Sequence, residues 1–461
     1  MSGRHERQDG VSPSCLLYTN GENIMKSIPN MIKCELNTAI SQAITNTNRE
    51  LGEQECQFAR NRVLTAEKMI KLLLSMQGGS LQKELYDAGI NATASAFVQQ
   101  REKISWTVFE EVFENFNKLH KDKETFKGYH VLAIDGTTVN LARNPKSDTY
   151  MNNTADKNGY NQFHVNPLYD VLNKIYLHCV IQPQPKQDEI GALIFMLTWY
   201  DFDTKTLIVA DRGYESYNVF AHFLERKDMD FLIRVKQNQS AMREIKKLPM
   251  KEFDTDISFT ITTTQTNADK ENGYVFIQTR KNEDKTYSPK TRAGRWNFQS
   301  PYPMKFRVVR FMLDTGEYET LATSLPRSIT LEEIKELYHA RWGIETAFRE
   351  LKYGLGLVNL HSKKDAFAKQ EIYAMMTMSN FCSRISSQII IQQNKKNVHM
   401  YKINMKMAIY LCRKYYREKK GNGNQLMRDI EKYTEPIRPN RKDERNIKAK
   451  SFIGFTYRVS A

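Results

Sequence analysis

The sequence predicts an α/β fold whose core is interrupted by a β-rich insertion and flanked by helical N-terminal and C-terminal regions. Three observations predict it. Between Tyr129 and Lys236, short apolar runs alternate with helical patterns, as in α/β units. From about Gln239 to Tyr318 the texture becomes strand-like, in ISFTITTTQT, YVFIQTR and KFRVVRFML. On either side of these stretches the apolar period is that of helices.

In chain order, residues 1–60 read as a polar, partly flexible arm. Residues 61–125 read as a helical, DNA-binding-like domain. LTAEKMIKLLLSM has helical spacing behind a Thr65 cap, and Gly78-Gly79 breaks it. SLQKELYDAG, NATASAFVQQREKI and SWTVFEEVFENFNKL follow. Short helices with tight turns suit a helix-turn-helix-like module and a plain helical bundle equally. In the DNA reading, Ser95, Gln99, Gln100 and Arg101 face the duplex. Residues 126–238 form the first part of the core. YHVLAID and TLIVAD are strands ending in Asp135 and Asp211, KQDEIGALIFMLTWY and SYNVFAHFLER are helical, and DFLIRVK is a strand. Residues 239–326 are the β-rich insertion, 327–395 the second part of the core, and 396–461 a basic C-terminal region. From Arg413 onward that region carries 14 Lys/Arg against 6 Asp/Glu, and its end, IRPNRKDERNIKAK, reads as irregular.

The 461 residues, 40% hydrophobic, suffice for two or three packed domains. No run of eighteen apolar residues occurs, so no membrane span is expected. MSGRHERQDGVSPSC lacks the apolar stretch of a secretory signal. Cys15, Cys34, Cys56, Cys179, Cys382 and Cys412 are scattered without a C-x-x-C pair, which argues against a metal cluster or disulfide framework and for a reduced cytoplasmic chain. The net charge of +15 points to a polyanionic partner, most often nucleic acid.

The chemistry rests on three acids and one helix. Asp135 and Asp211 each end an apolar strand, where open α/β sheets place their sites. Either alone is also an ordinary turn residue. Thr330-Leu-Glu-Glu333 is a capping box that opens a helix through YHARWGIETAFRELK, and Gly354 gives the stop. At 100° per residue, Tyr338, Arg341, Glu345 and Lys352 fall within a sector of about 60°. A solvated face with i,i+4 charge pairs would share this pattern. Trp342, Ile344, Ala347, Phe348 and Leu351 spread apolar contacts around the rest, which argues for burial. A buried carboxylate needs a cation, and three acids near one point suit Mg²⁺ or Mn²⁺. Arg341 and Lys352 would then hold phosphates as fork and point charge.

Tyr-x2-Arg-x3-Glu-x6-Lys resembles the characteristic helix of the insertion sequence 4 family of DDE transposases, and Tyr338, Arg341, Glu345 and Lys352 match it at every position. Asp135 in LAIDGTTV and Asp211 in LIVADRGY resemble the family's first and second acids. The 134 residues from Asp211 to Glu345 suit a family whose RNase H-like catalytic core is interrupted by a β-rich domain. The resemblance implies a cut-and-paste transposase in which Asp135, Asp211 and Glu345 hold two Mg²⁺ (or Mn²⁺) ions for in-line attack on phosphorus, by water and then by a DNA 3′-hydroxyl. It implies double-stranded DNA as partner, both terminal inverted repeats and target, a homodimer in the synaptic complex, and a nucleoid-associated protein of a bacterial or archaeal cytoplasm. Arg341, Lys352 and Tyr338 would grip phosphates.

Relatives that pass through a hairpin stack a flipped base on an aromatic residue of the insertion. The matching position here is Glu319, so Tyr318 and Trp296 are the base-stacking candidates. Glu189, Glu371 and Arg212 read as salt-bridge partners at least as readily as site residues. His130, His164 and His178 read as packed or hydrogen-bonded strand residues, and His339 lies off the catalytic face. A haloacid-dehalogenase-like phosphatase is excluded, since its nucleophile position is Ala133. An RNase H-like nuclease without strand transfer would share the acids, as would an inactive or domesticated DNA-binding derivative.

Overall fold

A computed structural model describes residues 27–51, 63–121, 123–152, 159–202, 204–236, 242–279, 294–393 and 398–438. The N-terminal region is helical: α1 (Ile28–Leu51), α2 (Ala66–Ser75), α3 (Leu81–Asp87), α4 (Ala94–Arg101) and α5 (Trp106–Lys118). Thr65, the cap expected from the sequence, and Ser80, Thr93 and Ser105 cap the last four with side-chain oxygens. Helix α5 buries Val108, Phe109, Val112, Phe113 and Phe116 on one stripe. Each such side chain contributes about 1.5–3 kcal/mol.

Helix α1 corrects the expectation of a polar arm. It buries Ile32, Leu36, Ala39, Ile40 and Ala43 in the same cluster as α5. These apolar residues have helical spacing, but the many polar residues between them hid it. The remainder of the arm, residues 1–26 and 52–60, lies outside the described residues.

The core strands are β1 (His130–Ile134), β2 (Thr137–Leu141), β3 (Tyr150–Met151), β4 (Tyr160–Asp170), β5 (Ile175–Pro183), β6 (Thr206–Ala210) and β7 (Met229–Arg234). Helices α6 (Glu189–Trp199) and α7 (Tyr217–Leu224) connect the later ones. β1 and β2 run end to end along β4, separated by the Asp135-Gly136 break. β1, β6 and β7 are mutually parallel and buried on both faces, which accounts for their unbroken apolar runs.

The next segment holds α8 (Arg243–Lys246), β8 (Phe253–Thr262), α9 (Asn267–Glu271), β9 (Val275–Phe276), β10 (Tyr302–Met312) and β11 (Tyr318–Thr323). Its strands do not form a sheet of their own. β11 pairs antiparallel with β7, and the order β2-β4-β1-β6-β7-β11-β10-β8-β9 is one continuous sheet. Local alternation marks strands but not their partners, so this continuity was not readable from the sequence.

The C-terminal part contains α10 (Leu331–Ala340), α11 (Trp342–Arg349), a π-helical turn at Glu350–Gly354, α12 (Asp365–Ser386), β12 (Tyr401–Ile403), α13 (Met405–Arg417), α14 (Gly423–Lys432) and β13 (Thr434–Pro436). One apolar cluster joins α1, α2, α5, α11, α12 and α13 to one face of the sheet. A second, with α6 and α7, covers the other face. The result is a helix–sheet–helix sandwich in which the N-terminal helices pack as part of the main core. Among the described residues no helix is long and apolar enough to cross a membrane. Cys179, Cys382 and Cys412 are free and buried, whereas Cys34 is disulfide-bonded, which the scattered spacing did not predict.

Candidate active site

Register places the first two acids. Ile134 pairs with Ala210 in the parallel β1–β6 ladder, so Asp135 and Asp211 leave the sheet side by side at its carboxyl edge. Neighbouring strands are about 4.8 Å apart. Each carboxylate is turned by a backbone N–H just downstream: Gly136 N donates to Asp135 Oδ1 at 2.9 Å, and Gly213 N to Asp211 Oδ1 at 2.7 Å. Burial pushes the Asp135 carboxyl up to about 6, and Asp211 and Glu189 add to the rise. The Gly136 N–H and Arg341 oppose it without cancelling it.

The third acid arrives on the capped helix. Thr330 and Glu333 form the expected reciprocal capping box, and Lys127 pairs with Glu333 at 2.6 Å. The helix is not one continuous element. It tightens at Arg341, where Arg341 N bonds Tyr338 O and Ile344 N bonds Arg341 O. Farther on it widens into the π turn, with Leu355 N bonding Glu350 O. The shared 60° face assumes an unbroken α-helix, and the π turn at Glu350–Gly354 interrupts that helix before Lys352. Gly354 does end the helical segment, and a Cβ there would lie 2.9 Å from Ile409 of α13.

Arg341 is 6% exposed and ties the site together. Its Nη1 is 3.6 Å from Glu345, and its guanidinium lies over the rings of Trp342 and Tyr338 at 4.9 and 5.6 Å. Its charge reaches Asp135 and Glu319. Arg341 Nε and the Tyr338 hydroxyl are buried without a hydrogen-bond partner. Trp342 is 47% exposed and serves as a platform for Arg341, not as the core residue its apolar character suggested. Glu345 is half-exposed on α11, which packs against β1. Asp135, Asp211 and Arg341 are thus brought together, with Glu345 attached through Arg341. Among the described residues no three His, Cys, Asp or Glu side chains form a ready metal cage.

The stacking candidates separate clearly. Trp296 packs edge-on against Phe298 and Tyr302, 5.4 and 5.3 Å between centroids, as a loop anchor. Tyr318 lines a cleft of about 410 Å³ with Arg212, Arg234 and Lys236. Arg212 follows Asp211, and Arg234 follows Ile233, which pairs with Ala210. Arg234 and Lys236 were missed in the sequence. The signal was there in DFLIRVK, a strand whose basic residues emerge at the same edge as the acids.

Other sequence candidates fall elsewhere. Arg101, expected to face DNA in one reading, is 4% exposed and bonded to Glu371, Gln370 and the Phe367 carbonyl. Ser95 and Gln99 are exposed and Gln100 is half-buried on α4. Glu371 is the structural partner of Arg101. His178 pairs with Glu114 at 2.9 Å, His130 is buried in β1, and His339 is exposed. Glu189 is also a salt-bridge partner, with its Oε1 2.9 Å from His164 Nε2, and it stands beside the turn that follows Asp135. A Cβ on Gly136 would stand 2.5 Å from its Oε1 and 2.3 Å from His164 Nε2, so only glycine fits there.

A family model described as the transposase DDE domain matches residues 126–381. No curated protein matches the sequence. Among solved structures, the cryo-EM structure of the piggyBac transposase synaptic complex with hairpin DNA is similar at 11% identity and a TM-score of 0.44, over 93% of this chain and 90% of that one.

Proposed function

This chain belongs to the transposase DDE domain family and is a DNA transposase, and from that premise we propose metal-dependent cut-and-paste transposition of an insertion sequence as its activity. The observation that carries the proposal is the register that sets Asp135 and Asp211 side by side at the carboxyl edge of adjacent parallel strands. The RNase H-like reading of the core and the insertion sequence 4 assignment rest on the same acids and on Tyr338, Arg341, Glu345 and Lys352.

The donor set fits a hard divalent cation. It consists of oxygens only, and burial, with Asp211 adding to it, pushes the Asp135 carboxyl up to about 6, so a cation beside it would favour its charged form. Asp135, Asp211 and Glu345 would hold Mg²⁺ or Mn²⁺, two ions in all. When bound, such ions neutralise charge on the phosphate and make an attacking oxygen more acidic.

The chain's own residues supply the positioning. Arg341, backed by the Trp342 ring, offers Nε to a phosphate oxygen beside Asp135. Tyr338, whose ring lies under the Arg341 guanidinium, would offer its buried hydroxyl beside it. Lys352 holds a phosphate farther along the strand. Tyr318, with Arg212, Arg234 and Lys236, provides a basic cleft with one aromatic wall, which suits a displaced nucleotide better than Trp296 does. The +15 charge supports element ends and target DNA as partners, and synapsis of two ends calls for a homodimer.

Asp135→Ala, Asp211→Ala and Glu345→Ala should each abolish Mg²⁺-dependent cleavage at element ends while leaving end binding intact. Full cleavage by any of the three would sink the assignment. Incubating precut ends with target DNA separates the transposase from a nuclease that shares the acids, since only the transposase yields joined products.

A further inference from the structure

We propose that the outward face of α13, together with Tyr353 of the π turn, is a second surface for duplex DNA, gripping its backbone beyond Lys352; this rests on the transposase reading above. Helix α13 (Met405–Arg417) carries four basic residues and no acid. It divides them between two faces. Arg413 is 5% exposed, and its Nη2 donates to the Leu355 carbonyl just past the π turn at 3.0 Å. Arg417 Nη2 donates to Glu84 Oε2 of α3 at 2.6 Å and to the Ser75 carbonyl of α2 at 2.9 Å. With the Asn404 cap and Ile409 packed against Gly354, these inward bonds fix the helix against the π turn, α2 and α3.

The other two cations point outward. Lys406 and Lys414 are exposed, with Tyr410 between them, and at 100° per residue the three fall within about 80°. An ordinary solvated helix face mixes signs and pairs them at i,i+4. No acid of α13 is there to pair with these lysines, and Glu418 at its C-cap is followed by Lys419 and Lys420. The aromatic residues are the second observation. Tyr410 is 50% exposed and Tyr353 62% exposed, and they rise from the junction where Gly354 meets Ile409. On α11, between that junction and the acids, Trp342 and Arg349 are exposed at i and i+7. Basic and aromatic side chains thus alternate from the catalytic helix onto α13, the pattern of a surface that tracks a nucleic-acid backbone. Lys406 to Lys414 spans about 12 Å, and a duplex carries one charge per about 1.7 Å of its axis, so several phosphates pass this face. Lysine and tyrosine contacts to phosphate hold the duplex without reading its sequence.

The test is fluorescence-anisotropy titration of the full chain in EDTA, over a series of salt concentrations. The probes are a duplex carrying the element end and a scrambled duplex of equal length. Lys406→Gln with Lys414→Gln should lower the salt slope of log K by about 2 and weaken both duplexes roughly ten- to a hundredfold at 0.1 M salt. Lys406→Arg with Lys414→Arg keeps the charge and should retain the wild-type slope. Tyr410→Ala should weaken both duplexes at an unchanged slope. Lys247→Gln with Lys251→Gln, two exposed residues ahead of β8, should leave slope and affinity as in the wild type. A wild-type slope in the α13 glutamine variant overturns the inference, as does an equal fall in the Lys247 and Lys251 variant, which would reflect bulk charge alone. Weakening confined to the element-end duplex overturns the backbone grip. Failure of the wild-type chain to bind either duplex overturns the transposase reading and the inference with it.

Discussion

Two clusters of opposite charge lie in this molecule, and they are built differently. In the first, Arg101 of α4 meets Glu371 of α12 out of water. Arg101 donates to Glu371 at 3.1 Å, to Gln370 at 2.6 Å and to the Phe367 carbonyl at 2.8 Å, and His361 N donates to Glu371 at 2.8 Å. In the second, Asp135 and Asp211 lie side by side at the open edge of the sheet, and Arg341 acts on Asp135 and stands 3.6 Å from Glu345, with its Nε unsatisfied. Burial opposes charge in both. In the first cluster Arg101 and His361 overcome it and bring Glu371 down to about 2. In the second, burial and Asp211 prevail and push Asp135 up to about 6. A saturated charge cluster holds helices together, whereas an under-neutralised one is held ready for a ligand.

The contrast can be broken most sharply by activity. Replacing Asp135, Asp211 or Glu345 with Ala should lower metal-dependent end cleavage by about a thousandfold or more, roughly 4 kcal/mol of barrier, with DNA-end binding in EDTA retained. Replacing Arg101 with Met should do the converse. It strands Glu371 without its cation and should cost about 3–5 kcal/mol in urea unfolding, with the residual folded protein still binding DNA ends. A loss under 1 kcal/mol would show that the Arg101 cluster is not the clamp described.

The pH dependences should carry opposite signs. Glu371 titrates lower in the folded state, so its contribution is present above about pH 4.5 and is lost as pH falls toward 2. Asp135 titrates higher in the folded state. Its cost is absent below about pH 4 and grows as pH rises through about 6. In EDTA, Asp135→Asn should therefore stabilise the protein at pH 8 by on the order of 1–2 kcal/mol and have no effect at pH 3.5. Equal melting shifts at both pH values would contradict the electrostatic account. The smallest expected effect is that of Lys352→Ala, about tenfold in cleavage at subsaturating DNA. Cleavage at the wild-type rate would remove Lys352 from the phosphate grip.

Much of the site was legible because it is written locally. A strand ending in an acid, a capping box and a Tyr-Arg-Glu-Lys spacing each need only a short window of chain. Glu189 was legible as a salt-bridge partner or an acid near the site, but its partner was not, since nothing in its own helix points to His164 or to the turn at Gly136. Arg101 failed in the other direction. A basic residue on a short helix looks like a DNA contact until its partner, 270 residues away, is known.

By itself, then, the sequence determined the α/β class, the two strand-end acids and the helix that carries Glu345, because hydrophobic period, caps and strand ends are short-range consequences of backbone geometry. Tertiary structure decided the rest. It joined β8, β10 and β11 to the core sheet, tightened the helix at Arg341 and widened it near Lys352, drew Glu189 and His164 to the acids and buried Arg101. Those outcomes depend on which distant surfaces pair and pack. Pairing register and burial are settled by contacts across the whole chain, and no local window of residues contains them.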